Sequence, residues 1–196
     1  MTTATTVTIA TEYVKAALLF AAKKDIRYWL NGLHIELSHA GAWLVATDGH
    51  TVFVHRIAGA DAERATCSAI IESAAFDAVA KSKAKIVDVT IDGDQYKLAY
   101  AGVSAAGKQI DGIYPDWRRV VPRGKQSGEH GYFHPDYIAR VDKAGQAIGK
   151  NKHGCHIVPN GPVDLGVCRY NDVAFCGVMP IRAGDDRHVS VADILA

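Results

Sequence analysis

The sequence is poor in cysteine, in net charge and in long apolar runs, and each shortage excludes something. Four cysteines, Cys67, Cys155, Cys168 and Cys176, stand apart in 196 residues. None forms a C-x-x-C pair, and the spacing of Cys168 and Cys176 fits no zinc pattern. Thiols set in apolar runs, as in Val167-Cys168 and Phe175-Cys176, read as small buried hydrophobes. Their scarcity points to a reducing, cytoplasmic compartment. Lys and Arg number 22 against 21 Asp and Glu, a net charge of +1. A chain that grips phosphates tightly on its own carries a larger basic excess, so only a loose, encircling contact with nucleic acid stays open. No run approaches the ~20 apolar residues of a membrane helix. The opening Met1-Thr2-Thr3-Ala4-Thr5-Thr6 lacks the basic region and apolar core of a signal peptide. No membrane partner is expected.

What is present is a core-forming composition, 48% hydrophobic, arranged as a repeat. A strand, a helix and three strands recur with a period of roughly 60 residues. In the first copy Thr6 to Ala10 alternates as a strand, and Thr11 is placed to cap a helix whose Val14, Ala17, Leu18 and Ala21 share one face. Leu33 to Leu37 and Trp43 to Ala46 then form a hairpin through His39-Ala40-Gly41, and Val52 to Ile57 completes the unit. The second copy opens with Ala69-Ile70-Ile71. A short helix with Phe76, Val79 and Ala80 inward follows. Val87 to Ile91 and Tyr96 to Tyr100 flank the hairpin turn Asp92-Gly93-Asp94, and a last strand runs into Gln109-Ile110. Arg123 to His130 reads as a polar linker. The third copy has Gly131-Tyr132-Phe133 as strand and Pro135 as first helical residue. Its helix runs through Ile138, Val141 and Ile148. Ile157-Val158, Asp164 to Tyr170 and Ala174 to Met179 are its strands, with Asn171-Asp172 as turn.

Four blocks stand out for their wording: Asp25-Ile26-Arg27-Tyr28-Trp29-Leu30-Asn31-Gly32, Leu44-Val45-Ala46-Thr47-Asp48-Gly49-His50-Thr51-Val52, Asp111 to Pro122 with Tyr114-Pro115-Asp116-Trp117-Arg118-Arg119 at its centre, and Val178-Met179-Pro180-Ile181-Arg182. In this order they resemble the bacterial DNA sliding clamp, the beta subunit of the replicative polymerase. The resemblance implies an α+β DNA-clamp fold, with antiparallel sheets outside and helices on one face. It implies a full domain over 1–123, similar to the clamp's middle domain. It further implies half of the third domain over 129–182 and a C-terminal tail over 183–196. The clamp's first domain has no counterpart.

Asp48 and His50 invite a metal or hydrolase reading, but no converging ligands or positioned nucleophile are spaced to match. An Asp-Gly turn between strands, with His50 partly buried, is the plain reading. No catalytic residue, cofactor or metal is expected, and no enzymatic activity. The resemblance instead implies a groove for short linear peptides from a polymerase, a loader or repair proteins. It is carried onto Leu30, Thr47, Gly49, His50, Val52, Pro115, Arg119, Val120, Val178 and Met179. An apolar cleft with a few polar groups suits that task. Taken singly, Leu30, Val52 and Val120 read first as core. Two departures from the family stand out: Thr51-Val52 where it has Arg then Leu, and a chain that continues past Arg182. The added tail carries Asp185-Asp186 and then Val189, Val191, Ile194 and Leu195. It reads as a solvated extension, a short helix or a segment folding back into a groove.

For duplex DNA, the resemblance implies helices that present cations without reading sequence. The candidates are Lys15, Lys23, Lys24 and Arg27, then Lys81, and then Arg140 and Lys143. Lys83, Lys85, Lys150 and Lys152 flank them. Each reads equally as a solvated helix face or as a positive helix end. Three units per chain, against twelve in the family's ring, make a homo-oligomer the expectation, and a tetramer would supply twelve. The reading is therefore a clamp-like tether for replication or repair proteins. The alternative is an interaction module, a decoy or regulator of a host clamp that does not encircle DNA.

Overall fold

The computed structural model describes residues 4–59, 66–123, 131–149 and 156–182. The polar linker from 124, Lys150, Lys152, Cys155 and the tail 183–196 lie outside them. Among the described residues ten strands and three α-helices follow in the order β1 (Thr5–Ala10), α1 (Thr11–Leu18), β2 (Gly32–Ser38), β3 (Gly41–Thr47), β4 (Thr51–Ile57), β5 (Cys67–Glu72), α2 (Asp77–Lys81), β6 (Ile86–Asp92), β7 (Gln95–Tyr100), β8 (Val103–Lys108), α3 (Pro135–Ala147), β9 (Gly166–Arg169) and β10 (Ala174–Val178). They build a four-stranded sheet, β1-β6-β7-β8, and a six-stranded sheet, β5-β2-β3-β4-β10-β9. All pairings are antiparallel.

The first two units exchange their leading strands. β1 precedes the hairpin of the first unit but pairs with β6 of the second, Val7 opposite Val89. β5 precedes the second unit but pairs with β2 of the first, Ile35 opposite Ala69. Neither unit completes its own sheet. The exchange also explains why Thr11 does not cap α1. Its backbone N–H donates to the Lys85 carbonyl, 2.9 Å away. The chain therefore stays extended through Ala10, and Ala10 is the N-cap.

One core lies between the helices and both sheets. Val7, Ile9, Val14, Phe20, Leu33, Ile35, Leu44, Phe53, Phe76, Val87, Val89 and Leu98 are all sealed from solvent there. α1 touches both α2 and α3. A second apolar cluster covers the other face of the six-stranded sheet, with Val45, Val52, Val54 and Ile70 under Leu30, Tyr114 and Leu165. Strands β2, β3 and β4 are consequently buried on both faces along much of their length, whereas β6 keeps simple alternation.

Several boundaries differ from the sequence reading. The second helix is a 3₁₀ turn, Ser73–Phe76, followed by five α residues. Ser82 ends it by turning its hydroxyl onto the Val79 carbonyl, 2.7 Å away. β8 stops at Lys108, because Ile110 leaves to donate its N–H to the Ile70 carbonyl on the other sheet. In the third unit, Tyr132 and Val158 form only single bridges, to Ile181 and Val167. α3 starts at Pro135 as expected, with His134 accepting the Asp136 N–H at its cap.

Candidate functional site

The turn between β3 and β4 is over-determined by its own side chains. Asp48 Oδ1 accepts the N–H groups of His50 and Thr51, at 3.0 and 2.7 Å, and the Thr51 hydroxyl at 2.9 Å. Thr47 Oγ1 donates to the Thr51 carbonyl and accepts the Gly49 N–H. Asp48 Oδ2 pairs with Arg140, which ties the turn to α3. Burial alone would raise the Asp48 carboxyl; the Arg140 hydrogen bond, the two N–H groups and the Thr51 hydroxyl outweigh it and hold the pKa below the usual range.

Gly49 has φ +89°, and a Cβ there would stand 2.9 Å from Arg27 Nη1. The close approach that this glycine permits is that of a guanidinium. Arg27 itself is clamped by Asp25, whose oxygens accept from Nε and Nη2 at 3.0 and 2.7 Å. These hydrogen bonds, with one from the Arg27 N–H, lower the Asp25 carboxyl to about 2.

Residues 110–122 form a strap across the outer face of the six-stranded sheet, and Tyr114 fastens it. Its hydroxyl accepts the Thr47 N–H at 2.9 Å, and its ring stacks on His34 with 4.6 Å between centroids. Burial pushes the phenol pKa up and holds it neutral. On the far side, the Met179 N–H donates to the His50 carbonyl at 2.8 Å.

Turn, strap and Met179 enclose a cleft of about 220 Å³. Eight of the ten residues assigned to the groove line it: Leu30, Thr47, Gly49, His50, Val52, Pro115, Val120 and Met179. Two do not. Val178 is fully buried in the main core, because alternation along β10 turns it to the face opposite Met179. Arg119 lines a neighbouring depression with Val121, Asn160 and Asp164, since the 3₁₀ turn Trp117–Arg119 carries it past the cleft. His50 is exposed at the rim rather than partly buried, with its ring 6.0 Å from that of Tyr137.

Arg27, Thr51, Asp116, Trp117 and Leu165 also line the cleft and were not assigned to it. For Arg27 the spacing Asp25-x-Arg27 was the available signal, since it lets one side chain hold the other. Leu165 had none. Its side chain fills the space that Gly177 vacates on the neighbouring strand, where a Cβ would meet Leu165 Cδ2 at 2.3 Å.

The cations assigned to DNA divide. Lys23, Lys24, Arg27, Arg140 and Lys143 border one depression of about 610 Å³ beside the cleft, together with Asp25, Asp48 and His50. Lys15 on α1 and Lys81 at the end of α2 are exposed and lie outside it. Arg27 and Arg140 are not free cations, because Asp25 and Asp48 pair with them. Cys168 and Cys176 are buried, and the Cys176 sulfur accepts the Tyr170 hydroxyl at 3.2 Å. Among the described residues no cluster of His, Cys, Asp and Glu is arranged to hold a metal ion. No helix among them is long and apolar enough to cross a membrane.

Comparison with known proteins places this architecture. The model of the DNA polymerase III beta subunit, central domain, matches residues 7–116. A beta sliding clamp of Caulobacter vibrioides is 26% identical over 107 residues, 51% of this chain and 29% of that protein. That of Vibrio cholerae is 25% identical over 179 residues, 83% of this chain and 47% of its own length. The chain thus spans less than half the length of these curated relatives. In three dimensions, the DNA polymerase sliding clamp of Pseudomonas aeruginosa superposes with a TM-score of 0.71 at 17% identity, over 91% of this chain and 66% of that one. The DNA polymerase III beta subunit of Thermotoga maritima gives 0.65 at 16%, over 92% and 66%. The fold is the DNA-clamp fold, and the chain belongs to the DNA polymerase III beta subunit family.

Proposed function

We propose that this protein is a clamp-like tether without enzymatic activity. It holds replication or repair proteins through the cleft and contacts duplex DNA through its helix face without reading sequence. The cleft carries the reading. Its floor of Leu30, Val52, Leu165 and Met179 is apolar, and its rim offers His50, Thr47 and Arg27. A small greasy site with a few polar groups anchors aliphatic and aromatic side chains of an extended peptide. The depression with five cations opens next to it and shares Arg27 and His50. Two of the five are neutralised, so Lys23, Lys24 and Lys143 are the cations left for phosphates, and the contact is weak per chain.

We read residues 129–182 as half a clamp domain, and self-association follows from that reading. β8 is a sheet edge whose small residues Ser104, Ala105 and Ala106 are exposed, without proline and with one charge at its end. Unprotected edges of this kind pair with another chain. A tetramer would bring twelve units together.

The alternative is an interaction module that regulates a host clamp without encircling DNA. The ion pairs of Arg27 and Arg140 favour it, because they remove charge from the DNA-facing side. Gel filtration with nicked circular plasmid, before and after linearisation, separates the two. A tether stays with circles and is lost from linear molecules. Absence from both, together with capture of an intact clamp, selects the regulator.

A further inference from the structure

The outer face of strands β4, β10 and β9 holds a second depression, of about 370 Å³, beyond the cleft described above. Strand register shows how the two are related. On β4, Val52 lines the cleft, while Val54 and Arg56 line the second depression. On β10, Met179 lines the first and Phe175 and Val173 the second. On the third strand's side, Leu165 belongs to the first and Val167 and Arg169 to the second. Val54 lies opposite Phe175, and Phe175 opposite Arg169. The depressions therefore follow one another along a single strip of outward-facing side chains. The four residue steps from Val52 to Arg56 cover about 13 Å, the reach of four or five extended peptide residues.

The wall between them is Trp117. Its ring lines the cleft and stands 6.1 Å from Phe175 and 6.4 Å from Trp43, both of which belong to the second depression. Trp117 Nε1 is buried without a hydrogen-bond acceptor among the described residues. A buried donor lacking a partner is costly to keep. The floor beyond the wall is apolar and partly aromatic: Trp43, Val54, Val167 and Phe175, closed at one end by Pro122. Its rim carries two guanidinium groups. Arg169 is paired with Asp172 at 2.6 Å, whereas exposed Arg56 has no ion pair among the described residues.

We propose that this depression is a second anchor site for the same partner peptide. It takes an aromatic side chain four or five residues away from the anchor in the cleft, next to an acidic residue that faces Arg56. Aromatic edges and faces suit the Trp43 and Phe175 walls. The carboxylate supplies the counter-charge that Arg56 lacks among the described residues, in a geometry guanidinium groups favour. The inference rests on the peptide reading of the cleft and extends it to a longer, two-anchor partner.

The test is a fluorescence-anisotropy titration of the whole chain with fluorescein-labelled synthetic peptides. The two-anchor probe is Leu-Phe, a Gly-Ser-Gly spacer and Phe-Asp, made in both orders. The one-anchor control replaces Phe-Asp by Gly-Ser. In one order the two-anchor probe binds at least about tenfold tighter than the control, a modest gain for two linked sites. Arg56→Glu removes the gain and leaves the control unchanged. On that variant a probe ending in Phe-Lys recovers it, which a folding defect would not allow. Equal affinity of probe and control in both orders overturns the second site and leaves the cleft reading standing. No binding by either peptide overturns both. A gain that disappears as the protein's mass doubles with concentration assigns the depression to a second copy of this chain, and overturns the peptide assignment.

Discussion

The two sheets are built from the same repeat, yet among the described residues the apolar cleft lies on the six-stranded one. On the four-stranded sheet, β6 alternates between buried and exposed positions and β8 is exposed along almost its whole length. On the six-stranded sheet, β4 is buried at every position except Arg56. The hairpins themselves do not account for the difference. The strap 110–122 crosses back over the first unit's sheet, and β10 and β9 extend that sheet past β4. A duplicated unit gains a binding surface when a second layer of chain is laid over its outer face and leaves a gap.

If the strap makes the difference, its fastener is the place to break it. Tyr114 is 8% exposed, stacks on His34 and accepts the Thr47 N–H. Tyr114→Ala removes a buried ring and orphans a buried donor, for a loss of about 4 kcal/mol in urea unfolding. Tyr100→Ala on the half-covered face of β7 costs less than half of that. Equal losses at the two sites would show that cover is not what separates the sheets.

Acid provides a second, smaller contrast. His34 on β2 and His55 on β4 are 6% and 5% exposed, and both belong to the six-stranded sheet. His34 Nε2 meets Ser68 Oγ at 2.8 Å, while His55 Nδ1 faces the Val173 carbonyl at 3.2 Å and its ring stacks 3.6 Å from Tyr13. Burial lowers each to a pKa of about 4. An unfolded histidine titrates near 6.5, so the unfolded chain takes up protons first as the pH falls. The stability due to each neutral ring is complete above that value and is lost on the way down to about 4. Between pH 7 and pH 5 the loss is about 2 kcal/mol for each histidine. Hydrogen exchange at pH 5 should show β2–β4 opening before β6–β8. Uniform opening would dissolve the contrast.

The asymmetry was partly legible in the sequence. Local wording marks the Thr47 to His50 turn, the block around Tyr114-Pro115 and Met179, but not that residues 110–122 cross the sheet as a strap. Their convergence depends on the β4–β10 pairing, across more than a hundred residues of chain, which no local pattern reveals. The exchange of β1 and β5 was invisible for the same reason, since alternation says that a strand exists and not which partner it takes. Val178 was assigned to the groove beside Met179, although adjacent residues on a strand face opposite ways. Arg27 was counted as a cation for DNA, and only its contact with Gly49 shows that it also borders the cleft.

Among the described residues no second layer covers the four-stranded sheet, so its own weak point is a turn. Ala101-Gly102 joins β7 to β8 directly, with Tyr100 opposite Val103. Both turn residues have positive φ, +46° at Ala101 and +78° at Gly102. Two-residue hairpins require this mirror-image turn, and its first position strongly prefers asparagine or glycine. Alanine carries a Cβ into the left-handed region at a cost of about 1 kcal/mol. Nothing lies within 4 Å of a Cβ placed at Gly102, so the turn has no neighbours to accommodate or to lose. Ala101→Asn should therefore stabilise the protein by about 0.5–1 kcal/mol in urea unfolding. It should also slow exchange in β7 and β8 while leaving β3 and β4 unchanged. A gain reaching the six-stranded sheet would mean that the shared helix core, rather than the local turn, limits both sheets together.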